Sequence, residues 1–284
     1  MTDIAVWHRA DLRTVDNAAL AAAADDADRL TPVFVVDPAY YAHDALACDA
    51  RLRFLHDCLA DLRRQYRDLG SDLALLFGDP HERIPALLAD GYEAYCNRDV
   101  TARAGLARDR TLLDREGVTG FADDGIRWPD ERDPDGTVAV DTREDWDDHC
   151  EAYFECDQRP RPESLGPDPV DSDVTVGEVE TRYGVTPEKT AVPEGGTVAG
   201  TERLSAFVDR LADYPGVVSP PAAAQARSSR LSPYLKFGAL DERAKEALSD
   251  PRVQRRCSFS NRGLERTDSG GDDDGSGQAS LSEF

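Results

Sequence analysis

Two short stretches of this 284-residue chain bring together groups able to hold or move charge. Ser228-Ser229-Arg230-Leu231-Ser232-Pro233 sets three hydroxyls and a guanidinium just ahead of a segment that reads as a helix, with Pro233 suited to its first turn. Helix starts present unpaired N–H groups and the positive end of the dipole, so this arrangement could hold a phosphate. It could as well be a serine-capped helix with an incidental arginine. Trp7-His8-Arg9-Ala10-Asp11-Leu12-Arg13-Thr14-Val15-Asp16-Asn17 follows an apolar run and leads into an alanine-rich helix. Residue types alone support a plain reading there. Asp16 or Asn17 caps the helix, and Arg9, Asp11 and Arg13 pair on the surface. His149, Cys150 and Cys156 come nearest to a metal set, but adjacent ligands without a second pair argue against zinc.

The elements around these stretches alternate over the first 125 residues. Short apolar runs at Ile4–Trp7, Pro32–Val36, Leu73–Phe77, Ala94–Cys96 and Gly120–Ala122 read as strands. Their lack of alternation suits a parallel sheet covered on both faces. Between them, Leu52, Leu55, Leu59, Leu62, Tyr66 and Leu69 line one side of a long helix, with Asp49 as its cap and Gly70 at its end. Asp79-Pro80 opens the next helix and Gly91 closes it; Asp99 caps another, reaching Gly117. The fold expected is α/β, a doubly wound parallel five-stranded sheet over residues 1–127. Residues 128–200 are acidic, rich in proline and turn signals, and read as a linker between domains. Helices return at Thr201 and again from near Ser232 to Leu248, so 201–248 reads as part of an all-α domain. Residues 249–284 end in an Asp/Gly/Ser-rich stretch that reads as a disordered acidic tail.

Composition limits the rest. Acidic residues outnumber basic ones 56 to 33, for a net charge of −23, and only Lys189, Lys236 and Lys245 are lysines. Such a surface repels itself at low salt and is screened at molar salt, which points to a halophilic source. No stretch reaches the ~18 apolar residues that span a bilayer. The start lacks a basic, then apolar leader, so a cytoplasmic location is expected. The six cysteines are scattered and read as reduced and structural.

Taken together, the two charged stretches resemble the photolyase/cryptochrome family. The first is similar to that family's W-x-R-x-D-L-R-x-x-D-N-x-A-L. The second is similar to its T-S-R-L-S-P-Y-L-x-F-G, with Ser228 in place of threonine. Tyr95-Cys96-Asn97-Arg98-Asp99 resembles the family's N-R-D turn. Gly195-Gly196, Leu204, Phe207 and Tyr214-Pro215 resemble the lead into its flavin domain. The resemblance, which covers about residues 3–248 and fits a haloarchaeal protein, implies FAD as cofactor and a folate or deazaflavin antenna. It also implies damaged DNA as partner: excited reduced flavin passes an electron to a flipped-out pyrimidine dimer, which splits. By position it assigns FAD contacts to Tyr214, Ser228, Ser229, Arg230, Leu231 and Ser232. A cryptochrome-like light sensor without repair is the alternative that it leaves open.

Departures from the pattern temper that expectation. The match fades soon after Leu240, Val218 stands where the family has a DNA-contacting arginine, and Trp7, Trp128 and Trp146 all precede the flavin motif. These features lead us to expect an incomplete flavin domain, without the family's tryptophan relay and inactive on its own. The helices beyond Thr201 are expected to lack partners for their apolar faces. Gln278, Leu281 and Phe284 resemble a sliding-clamp-binding box, Q-x-x-L-x-x-F, which would make a clamp a second partner.

Overall fold

The computed structural model describes residues 2–42, 48–98, 103–123, 159–167, 170–187, 192–209 and 229–240. Five strands, β1 (Asp3–His8), β2 (Arg29–Val36), β3 (Ala74–Phe77), β4 (Tyr92–Asn97) and β5 (Val118–Phe121), form one sheet in the order β3-β2-β1-β4-β5. Every neighbouring pair is parallel. The helices between them are α1 (Ala18–Asp26), α2 (Pro38–Tyr41), α3 (Asp49–Asp68), α4 (Pro80–Ala89) and α5 (Arg103–Leu112). The chain order reverses between β1 and β4, the switch point of a doubly wound fold.

The apolar runs are continuous because both sheet faces are covered. Along β1, Ile4 and Val6 enter a core with Leu20, Leu55, Leu59 and Leu62, whereas Ala5 and Trp7 enter the opposite core with Ile84, Leu87 and Leu112. The long-helix stripe is buried as its spacing requires. Its cap differs from expectation. Cys48 holds that position without a side-chain capping bond, and Asp49 lies in the first turn, where its charge meets the helix dipole. Asp79 does cap α4, accepting from His81 N, and Asn17 rather than Asp16 caps α1. The cap proposed at Asp99 lies outside the described residues.

The stretch read as a linker holds a helix, α6 (Val176–Tyr183), opened by a capping box between Thr175 and Glu178 and closed by Gly184. It lies beyond the β3 edge: Asp173 N donates to Leu75 O, Leu75 N donates to Ser172 Oγ, and Val174 and Val179 are buried. The later helices also differ. α7 (Thr197–Val208) starts four residues before Thr201, and α8 (Ser232–Lys236) ends in a turn at Phe237-Gly238 rather than running to Leu248. Their apolar faces have partners after all. Leu204, Tyr234, Phe237 and Leu240 are buried in the same core as Phe54 and Leu59 of α3.

Candidate functional site

The two motifs meet at the carboxyl ends of the strands through residues 225 positions apart in sequence. Leu12 N donates to Phe237 O at 3.0 Å, and Arg13 Nη1 donates to Gly238 O at 3.2 Å. Gly238 has φ +60°, and a Cβ there would fall 2.1 Å from Ala10 O. Only glycine permits both that conformation and that approach. Phe54 of α3 packs edge-on against Tyr234 at 5.0 Å and against Phe237 at 5.6 Å. The second motif is thus held against the first by its Tyr-Leu-Lys-Phe-Gly end.

Asp11, Arg13, Asn17, Asn97 and Asp123 are all buried, which overturns the surface pairing expected for Asp11 and Arg13. Asp11 is the hub. Its carboxylate accepts from Arg9 N at 2.6 Å, Asn97 Nδ2 at 2.6 Å and Asn17 Nδ2 at 3.2 Å. Burial alone would raise the pKa of Asp11. His8, the Arg9 amide and the Arg9 charge outweigh it and hold the carboxyl well below the usual range. The Arg9 side chain is buried as well, paired with Asp109 of α5 and lying 4.8 Å over the Trp7 ring. Arg13 Nη2 reaches Asp123 Oδ2 at 2.6 Å and Asp16 O at 2.8 Å. Asp16 is itself at φ +49° and accepts from the Arg159 amide.

This network fills the place where doubly wound folds commonly bind nucleotides. The first-turn amides of α1 are already used: Ala18 N by Asp123, Ala19 N by Asn97 and Leu20 N by Asn17. A phosphate there would have to displace three side chains, one of them a carboxylate. The switch point is a structural joint whose α1 amides are occupied by side chains.

The described part of the second motif forms the turn before α8 and that short helix itself. Ser229 is half-buried and Arg230 exposed; Leu231 is half-buried and Ser232 exposed. Arg230 has φ +56°, which throws the turn outward. Ser229 O accepts from Arg203 Nε of α7 at 3.1 Å, and Ser229 Oγ accepts from Leu231 N at 3.4 Å. α7 in turn is anchored on α3: Asp61 Oδ2 accepts from Thr197 N at 2.8 Å, and Cys58 Sγ from Gly196 N at 3.2 Å. Burial pushes the Cys58 thiol up to about 12, so it stays protonated. Two hydroxyls and a guanidinium on a braced turn form a donor set that fits a phosphate. Among the described residues, open clefts of about 680 Å³ and 320 Å³ lie along residues 170–182 and beside α4, and neither is lined by this turn. Tyr214, Ser228, Gln278, Leu281 and Phe284 lie outside the described residues. Nothing in the sequence marked a role for Asp61 or Asp123, whereas Gly238 was legible as the last residue of the second motif.

Residues 4–125 match the family model described as DNA photolyase. The chain is 34% identical over 280 residues to the deoxyribodipyrimidine photo-lyase of Halobacterium salinarum, covering 86% of this chain and 55% of that one. The chain belongs to the photolyase/cryptochrome family. Within the family it is also 30% identical over 268 residues to a cryptochrome DASH of Natronomonas pharaonis, across 86% of this chain and 55% of the relative. Its fold matches the crystal structure of an archaeal photolyase from Sulfolobus tokodaii with two FAD molecules, at TM-score 0.65 and 25% identity, over 90% of this chain and 56% of that one. The chain spans about half the length of the curated relatives it matches. Among the described residues no helix is long and apolar enough to cross a membrane, and no group of His, Cys, Asp and Glu could hold a metal ion.

Proposed function

We propose that this chain supplies the α/β domain and the phosphate-facing edge of the flavin site of a deoxyribodipyrimidine photolyase, which uses blue light and FAD to split pyrimidine dimers in DNA. The observation that carries this reading is the joint between the motifs. Leu12 and Arg13 hold Phe237-Gly238, and this leaves Ser229, Arg230 and Ser232 on the outward turn. In that role the hydroxyls of Ser229 and Ser232, with Ser228, donate to the FAD phosphates and ribityl chain. Arg230 supplies positive charge, and Tyr214 adds a contact from the segment between α7 and α8. Bound flavin would supply the light-driven electron. The protein's part is to position it and exclude water.

The 284 residues alone are expected to bind FAD weakly and to leave dimers unsplit. Flavin sites bury most of their ligand among apolar walls, and the turn offers only the polar edge. The test is the purified chain reconstituted with FAD. Stoichiometric flavin absorbance together with dimer splitting under blue light would overturn the expected weakness. Stoichiometric absorbance without splitting would favour a cryptochrome-like light sensor. Weak binding that Arg230→Ala and Ser229→Ala reduce further supports the proposed contacts.

A further inference from the structure

Two buried tyrosine–histidine pairs flank α3, and they differ in where a proton could go. In the first, Tyr41 of α2 lies 3.0 Å from His56 Nε2, and His56 Nδ1 lies 3.1 Å from Glu180 Oε1 of α6. A carboxylate can only accept, so His56 carries its hydrogen on Nδ1 and Nε2 accepts from the Tyr41 hydroxyl. Tyr41 and His56 are buried, whereas the Glu180 side chain is 28% exposed. Tyr41 also stacks on Tyr183 at 4.8 Å. In the second pair, the Tyr66 hydroxyl meets His8 Nε2 at 2.5 Å, and His8 Nδ1 faces the Asp11 backbone oxygen at 3.1 Å, with the Asp11 carboxylate farther off at 3.7 Å. A backbone carbonyl cannot take the proton onward, and the buried Asp11 carboxylate already accepts from Arg9 N, Asn17 Nδ2 and Asn97 Nδ2, which hold it as the anion.

The geometry points to Tyr41 as a redox-active tyrosine, with His56 and Glu180 as its proton path. A phenol gives up an electron readily only if its proton leaves in the same event. Here an outer-sphere metal-complex oxidant, such as ruthenium(III) reduced to ruthenium(II), takes the electron from Tyr41, and the Oη–H bond breaks as Nε2–H forms on His56. The Nδ1–H bond of His56 breaks as a new O–H forms on Glu180. The products are a neutral phenoxyl radical, a neutral imidazole in its other tautomer and a neutral carboxylic acid. No cation is left in the core, which removes the main penalty of buried oxidation. Reduction reverses each transfer.

The surroundings agree. Burial pushes the Tyr41 phenol upward, so it enters the step protonated. Burial also lowers the His56 pKa against the pull of Glu180 and Asp57, with Arg53 acting in the same direction as burial, which favours an imidazole free to accept. Trp7, the tryptophan among the described residues, has guanidinium carbons of Arg9 and Arg108 at 4.8 Å and 5.2 Å over its ring, and two cations there oppose its oxidation.

The experiment oxidises the full chain, without flavin, by flash-generated ruthenium(III) polypyridine and reads the radical by electron paramagnetic resonance. A tyrosyl signal whose formation slows in D2O is expected. Tyr41→Phe should lose most of it, and Tyr66→Phe should keep it. His56→Gln, checked for folding by circular dichroism, should lower the yield and abolish the isotope effect. An unchanged spectrum in folded Tyr41→Phe would overturn the assignment. So would a full yield with the isotope effect intact in folded His56→Gln, which decides the matter if Tyr41→Phe does not fold.

Discussion

The five-stranded sheet and the segment from Gly195 to Leu240 are built on different principles. The sheet follows from local pattern. Its strands are short apolar runs, its helices carry their own stripes, and most caps come from the adjoining residue. The later segment borrows its order. Asp61 of α3 receives the first amide of α7, Phe54 receives Tyr234 and Phe237, and Leu12 and Arg13 receive the end of α8. α8 has only five residues, too few to persist by itself in water. The difference teaches that the first region carries its own ordering signals, whereas the second depends on contacts with the first for its packing.

Arg13 is where the two regions are most tightly coupled, so its loss should give the largest effect. Arg13→Ala leaves the buried Asp123 with Ala18 N and, at 3.6 Å, Arg159, so the loss should approach but not exceed the cost of a broken buried pair, about 3–5 kcal/mol. Chemical denaturation should show that loss, with increased hydrogen exchange in both α1 and residues 229–240. Exchange that rises only in the later segment would show that the regions are less coupled than the joint implies.

A smaller and more local effect is expected at Gly238. Gly238→Val places a branched side chain at φ +60°, a strain of about 1–3 kcal/mol before its collision with the Ala10 backbone is counted. Residues 229–240 should become open to proteolysis, whereas the sheet keeps its denaturation midpoint. A drop in the sheet's own midpoint would break the proposed order of dependence.

The smallest effect is a pH dependence on the far side of α3. His56 has its folded pKa depressed below the ordinary 6.5 by burial, so the unfolded chain binds a proton there more readily. The stability of neutral His56 is complete above that ordinary value and declines as pH falls through the lowered one. Denaturation midpoints measured from about pH 7 down to about pH 5 should fall more steeply in the native chain than in His56→Gln. Parallel slopes would show that α6 docks without help from this histidine.

Much of this was legible in particular residues, and some of it was overlooked. Asp79-Pro80, Asn17 and the Leu52–Tyr66 stripe announced their helices because caps and periodicity act within a turn or two. α6 was legible too. Thr175-x-x-Glu178 is a capping box, and Val176, Val179 and Tyr183 share a face, yet the surrounding prolines and acids masked it. The end of α8 was legible as well, because Gly238 closes it locally, with its own N–H on Leu235 O at 3.1 Å and Ala239 N on Tyr234 O at 2.9 Å. What no neighbouring residue announces is that the same glycine lies against the Ala10 backbone.

By itself the sequence determined the parallel sheet, its order of elements and the two motifs that mark the family, because short-range pattern and motif identity need no distant partner. Only the tertiary structure decided what the charged residues of the first motif do. The types of Arg9, Asp11 and Arg13 suit a solvated surface as well as a buried joint. Burial among Asn17, Asn97, Asp109 and Asp123 depends on strands that end 80 to 110 residues away. The same holds for Tyr41, His56 and Glu180, whose proton path exists only once α2, α3 and α6 are packed together.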